Sequence, residues 1–115
     1  MKLRIRGDSL RLRLTRPEVD ALRERGRVED ATSFPDGAVF RYTLEVGAAT
    51  TASFDARGIV VTLERGEAEA WCTSESVGVR GAVGPSSILV EKDFACLRPR
   101  EDEDPAEHFP HPDAK

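Results

Sequence analysis

Five basic residues near the amino end are the clearest candidates for chemistry in this sequence. They occupy alternate positions in two short runs: Lys2, Arg4, Arg6, Arg11 and Arg13. Alternate residues of an extended strand point to the same face, so all five charges gather on one side if the runs pair. Guanidinium groups bind phosphates and carboxylates through paired hydrogen bonds. The spacing therefore predicts an anion-binding face, for a phosphorylated ligand or for nucleic acid.

The same face has two interpretations that require no ligand, and the sequence alone favours them. Charge on an exposed strand protects a sheet edge from aggregation. Acidic residues of the same chain can also neutralise the face, with Glu45, Glu64, Glu91 and the acidic run at 101–104 as candidates. A net charge of −4 gives no overall attraction to nucleic acid. No aromatic residue lies between the arginines to stack on bases.

The acidic run allows a specific hypothesis about the chain's own charges. Residues 101–104 are four consecutive acids, and residues 1–16 contain six Lys or Arg but only Asp8 as an acid. An intramolecular clasp between these segments would neutralise the basic face. Removal of residues 101–115 would then raise the affinity for polyanions.

A metal or thiol site is a further alternative, because Cys and His are the ligands that zinc prefers. The candidate residues are Cys96, His108 and His111, with Cys72 as the only other cysteine. The sequence lacks a Cys-x-x-Cys pair, and both cysteines have apolar neighbours, where a free thiol usually packs as a small core residue. We therefore expect no cofactor.

Catalytic motifs are not recognisable. Ser86 and Ser87 follow Gly84-Pro85 but lack the pattern of a nucleophile elbow. The glycines at 78, 81 and 84 form neither a phosphate loop nor a dinucleotide fingerprint. The sequence favours a non-enzymatic interaction or small binding module, with anion or nucleic-acid binding and the metal or thiol site as alternatives.

A β-hairpin must position the basic residues. Leu and Ile alternate with Lys and Arg on both sides of Gly7-Asp8, which suits a two-residue turn because Gly accepts positive φ. Pairing Arg6 with Ser9 puts every apolar residue on one face and every basic residue on the other. A slip by one residue would destroy this separation, so the pattern predicts the register.

A short helix follows the hairpin over 15–26. Thr15 and Glu18 form a capping box, Pro17 lies in the first turn, and Gly26 suits the carboxyl end. Apolar alternation then predicts strands over 39–46, 51–54 and 59–64, which we interpret as a meander. Glu67 to Ala70 favour a helical turn before Trp71. A weak strand over 77–80 and a last strand over 87–91 complete the pattern, with no visible internal repeat.

Two segments of the chain resemble a family of small bacterial proteins of unknown function. The segments are MKLRIRGDSLRLRLTRPEV at the amino end and SSILVEKDFACLRPRED near the other end. The region of Trp71 and the closing His-Phe-Pro-His-Pro are similar to the same family. The resemblance implies a stand-alone bacterial protein, and it implies no activity or catalytic residue.

Length and composition complete the expected organisation. A chain of 115 residues with 39% hydrophobic residues suits one globular domain. We expect an α+β domain over 1–99, with five to seven strands in a mainly antiparallel sheet or partly open barrel, and an acidic, Pro-rich tail over 100–115. Neither a leader nor a membrane span is recognisable, which favours the cytoplasm. The expected partners are an anionic ligand or another protein, with a homodimer as an alternative.

Overall fold

The computed structural model describes residues 1–94, which form eight strands and two helices. The α+β class and the abundance of antiparallel pairing are confirmed, although there are eight strands instead of five to seven. The domain boundary at residue 99 lies outside the described residues and stays a prediction. The elements in chain order are β1 (Lys2–Arg6), β2 (Ser9–Leu14), α1 (Arg16–Arg25), β3 (Arg27–Ser33), β4 (Val39–Gly47), β5 (Thr51–Asp55), β6 (Gly58–Glu64), α2 (Arg65–Thr73), β7 (Gly78–Val83) and β8 (Ser86–Lys92).

The opening hairpin has the predicted register. Arg6 pairs with Ser9, and Lys2 at the other end pairs with Arg13. Gly7 has a φ of +54°, which the turn requires and which only glycine adopts at little cost. The apolar residues of both strands thus share one face and the basic residues share the other.

Both helices begin directly after a strand and are capped by local side chains. At α1, the Glu18 carboxylate accepts a hydrogen bond from the Thr15 backbone N–H at 2.9 Å, and Gly26 ends the helix with a φ of +75°. At α2, the Glu64 carboxylate accepts the backbone N–H of Glu67 at 2.8 Å. The predicted helix and the helical turn before Trp71 are both confirmed.

The strands form two four-stranded sheets, where the sequence predicts one sheet or a partly open barrel. The first sheet has the order β1-β2-β8-β7, and the second has the order β3-β4-β6-β5. The predicted meander over 39–64 is wrong, because β4 pairs with β6 in parallel and β5 lies at the sheet edge. Apolar alternation marks which face of a strand is buried but does not choose its neighbour.

One apolar core joins both sheets and both helices. Leu12, Val90 and Val61 contribute from the centres of the sheets, and Leu22 contributes from α1. Trp71 of α2 is only 1% exposed, and its indole N–H donates to the Val77 carbonyl at 3.1 Å. The predicted role of Trp71 in the core is therefore confirmed.

The two halves of the chain share one topology, although no repeat is visible in the sequence. Residues 2–47 and 51–92 both have the order strand, strand, helix, strand, strand. In this correspondence β2 is equivalent to β6 and β8 is equivalent to β4. The parallel pair β2–β8 is therefore equivalent to the parallel pair β6–β4. The helices begin with RPEVDAL and RGEAEAW, which are identical at three of seven positions. The similarity is confined to these short segments, which is why the sequence did not reveal it.

Candidate functional site

The predicted basic residues lie together on the outer face of the first sheet. We call this surface the basic face and define it as the outward side of β1, β2, β8 and β7. Its cations are Lys2, Arg4, Arg6, Arg11, Arg13 and Arg80. Glu91 and Asp93 contribute carboxylates beside these cations.

Glu91 organises the inner part of the basic face. Its Oε1 accepts a hydrogen bond from Arg13 Nε at 2.7 Å and lies 3.6 Å from Arg11 Nε. The side chains of Glu91, Arg11 and Arg13 are between 14% and 20% exposed, so solvent screens these contacts only partly. Among the acids proposed as internal partners, Glu91 contacts the hairpin arginines. Glu45 instead lies 3.9 Å from Arg57, and Glu64 caps α2.

Arg80 belongs to the basic face although the sequence did not indicate it. The register puts Arg80 of β7 opposite Leu89, and Leu89 lies beside Arg11. A row of residues therefore crosses all four strands in the order Arg4, Arg11, Leu89 and Arg80. The sequence predicted β7 only weakly, because two of its six residues are glycines, which are uncommon within strands, and only one is an arginine.

Two serines form the neighbouring row of the basic face. The Ser87 hydroxyl donates to the Ser9 hydroxyl at 3.2 Å. Two shallow concavities, of about 100 and 350 Å³, meet at Ser9 and Arg11. The smaller one extends towards Arg4, and the larger one extends towards Arg80. Hydroxyl and guanidinium donors thus line both concavities.

The second sheet provides an internal comparison, since its strands pair in the same registers. No cation occupies the six positions that correspond to the cations of the basic face. These positions hold Glu29, Thr51, Ser53, Asp55, Val60 and Thr62. Glu45 corresponds to Glu91, but its neighbour on β6 is Thr62 where Glu91 has Arg13. This four-stranded arrangement therefore forms without outward-facing arginines at these positions.

The α-ammonium group of Met1 forms a second charged cluster, beside α1. It donates to the Glu18 carboxylate and, at 3.3 Å, to that of Asp30. Burial opposes the charged ammonium, but these hydrogen bonds prevail and raise its pKa above the usual 8.0. In the other half, Thr50 takes the corresponding place and donates to Glu67 at 3.0 Å. Because an equivalent hydrogen bond occurs in both halves, we interpret the Met1 cluster as a contact that stabilises the fold instead of a binding site.

The residues proposed for a metal or thiol site cannot be located in the same way. Cys96, His108 and His111 lie outside the described residues. Within residues 1–94, no group of three or more His, Cys, Asp or Glu side chains has the arrangement of a metal site. Cys72 is half-buried, and burial raises the pKa of its thiol. No helix of the same region is long and apolar enough to cross a membrane.

Comparison with known proteins identifies a family and no characterised relative. The model of a family of unknown function, DUF7009, matches residues 1–113. This match confirms the resemblance to an uncharacterised family, whereas the bacterial origin stays a prediction. No curated protein and no solved structure shows significant similarity. The comparisons assign no residue of the basic face to a function.

Proposed function

We propose that this chain, which belongs to the family of unknown function DUF7009, binds an anionic ligand with phosphate-like groups on the basic face. The supporting observation is the contrast between its two sheets. Both have the same strand order and registers, yet the six cations of the first sheet correspond to four neutral residues and two acids in the second. The shared strand arrangement does not require cations at these positions, which supports a role for them in binding an anionic ligand.

Protection of a sheet edge can account for the four cations on the edge strands β1 and β7, but not for the two on β2. Edge strands use charge to prevent pairing with another chain. Arg11 and Arg13, however, lie on β2, which has a neighbour on each side. Arg4 and Arg11 are also directly opposite each other, an arrangement that costs about 0.2–1 kcal/mol. An anion between the two guanidinium groups would offset this repulsion.

The donor types favour oxyanions. Arginine presents a rigid fork of donors that matches phosphate and carboxylate oxygens. Ser9 and Ser87 add hydroxyl donors between the arginines at the centre and edge of the face. Glu91 holds Arg13 by a 2.7 Å hydrogen bond, so part of the site is organised before a ligand arrives.

Titration calorimetry with pyrophosphate tests the proposal. Arg4→Gln removes an exposed cation, and we expect it to weaken binding about tenfold or more, since a charged hydrogen bond contributes about 1.5–3 kcal/mol. Arg41→Gln is the matched control, because Arg41 is an exposed arginine on β4 of the second sheet. Equal effects of the two substitutions, or no binding by the unaltered protein, would contradict the proposal.

A further inference from the structure

The cations of the basic face extend across the sheet instead of surrounding one point. Arg4 lies on β1 at one edge and Arg80 lies on β7 at the other edge. Three strand spacings separate them, which is about 14 Å. A single phosphate can contact one part of this row, whereas an elongated anion can contact both ends.

The two concavities favour one continuous ligand over two separate ones. They share Ser9 and Arg11 as lining residues, so polar side chains lie where they adjoin. Leu89, between Arg11 and Arg80, is half-buried. A ligand that follows the row therefore passes over Leu89 with cationic groups on both sides.

The described part of the basic face offers no platform for a ring system. The aromatic residues among residues 1–94 occupy the opposite faces, the turns or the core, and none is an outward residue of β1, β2, β7 or β8. Recognition of unpaired bases relies on aromatic stacking. The recognised group is therefore the phosphate chain itself.

We infer that the ligand of the basic face is a linear oligophosphate group lying across the strands from Arg4 to Arg80. This inference rests on the proposed function and names its substrate class. Arg4 and Arg80 contact the ends of the chain, and the exposed hydroxyl groups of Ser9 and Ser87 contact its middle. The same group occurs in free inorganic polyphosphates and in nucleoside triphosphates. Because residues 1–94 put no aromatic side chain on the basic face, we expect equal affinity for both at equal phosphate number.

A series of linear phosphates measured by calorimetry tests the length of the site. The probes are orthophosphate, pyrophosphate, tripolyphosphate and a longer linear polyphosphate. We expect the affinity to rise by about tenfold or more from orthophosphate to tripolyphosphate, as each added group gains charged hydrogen bonds. The affinity should stop rising once the phosphate chain is long enough to span the basic face.

Arg80→Gln tests the far end of the site. It should lower the affinity for tripolyphosphate by about tenfold and change the affinity for orthophosphate by less than about twofold, because a short anion bound at Arg4 does not extend to Arg80. Arg41→Gln should change both affinities by less than about twofold. Adenosine triphosphate in place of tripolyphosphate shows whether a nucleoside contributes, and a much tighter complex would contradict recognition of the phosphate chain alone.

The two proposals fail in different ways. Equal affinities across the phosphate series, with a loss in Arg4→Gln only, would overturn the oligophosphate inference and leave anion binding intact. Absence of binding by every probe would overturn both. An equal response to Arg80→Gln and Arg41→Gln would also contradict the extended site.

Discussion

Replacing Glu91 by Gln should destabilise the fold more than the corresponding substitution in the other half. The Glu91 carboxylate accepts a 2.7 Å hydrogen bond from Arg13 and lies 3.6 Å from Arg11. A hydrogen bond to a charged group contributes about 1.5–3 kcal/mol. Its loss also leaves two guanidinium groups close together, so we expect a cost of about 2–3 kcal/mol.

Glu45→Gln is the matched control, because Glu45 takes the place of Glu91 in the second sheet. Its closest ion pair is with Arg57 at 3.9 Å, and both side chains are more exposed. An exposed pair of this kind contributes at most about 1 kcal/mol. The two substitutions therefore make the same chemical change in equivalent strands, where Glu91 accepts a close hydrogen bond from a part-buried arginine and Glu45 has only a longer contact with an exposed arginine.

Thermal unfolding followed by circular dichroism measures the difference. With about 4 °C per kcal/mol for a domain of this size, Glu91→Gln should lower Tm by about 8–12 °C and Glu45→Gln by about 4 °C or less. Pyrophosphate should recover more of the loss in Glu91→Gln, since the oxyanion takes the place of the missing carboxylate. A loss no larger than that of Glu45→Gln would refute the role given to Glu91.

The remaining predictions concern the termini and one turn. The raised pKa of the Met1 ammonium stabilises the fold fully below about pH 8, and this contribution is lost as the pH rises through that pKa. Glu18→Gln should reduce this loss in denaturant titrations, while Asp30 still accepts a hydrogen bond from the ammonium. Gly58 and Gly37 both have a φ of +92°, but a Cβ at Gly58 would lie 2.0 Å from a carbonyl oxygen of β4. Gly37→Ala should lower the free energy of unfolding by about 1–2 kcal/mol, and Gly58→Ala should lower it much more. Removal of residues 101–115 should strengthen heparin binding at low salt, and an unchanged affinity would exclude the clasp.

The opening hairpin was predictable because three independent signals agree there. The period of two, the Gly7-Asp8 turn and the separation of charge from apolar residues all require the same register. The observed pairing of Lys2 with Arg13 follows from that register. The first helix was predictable for the same reason, since its cap residues and its apolar stripe mark the same boundaries.

The sheet order was not predictable, because it depends on contacts between distant segments. The apolar faces of β4 and β6 are compatible with a meander and with the observed parallel pair alike. Arg80 was missed for a related reason. It joins the basic face only because β7 pairs with β8 and β8 pairs with β2, and neither pairing is marked locally in the sequence.

Mapping of the binding surface by NMR tests the central claim most directly. Backbone amide shifts of the isotope-labelled protein would be followed during titration with tripolyphosphate. We expect the largest changes in β1, β2, β7 and β8 around Arg11 and Ser87, with little change in the second sheet. Changes centred on the second sheet or on the helices, or no changes at all, would contradict anion binding by the basic face.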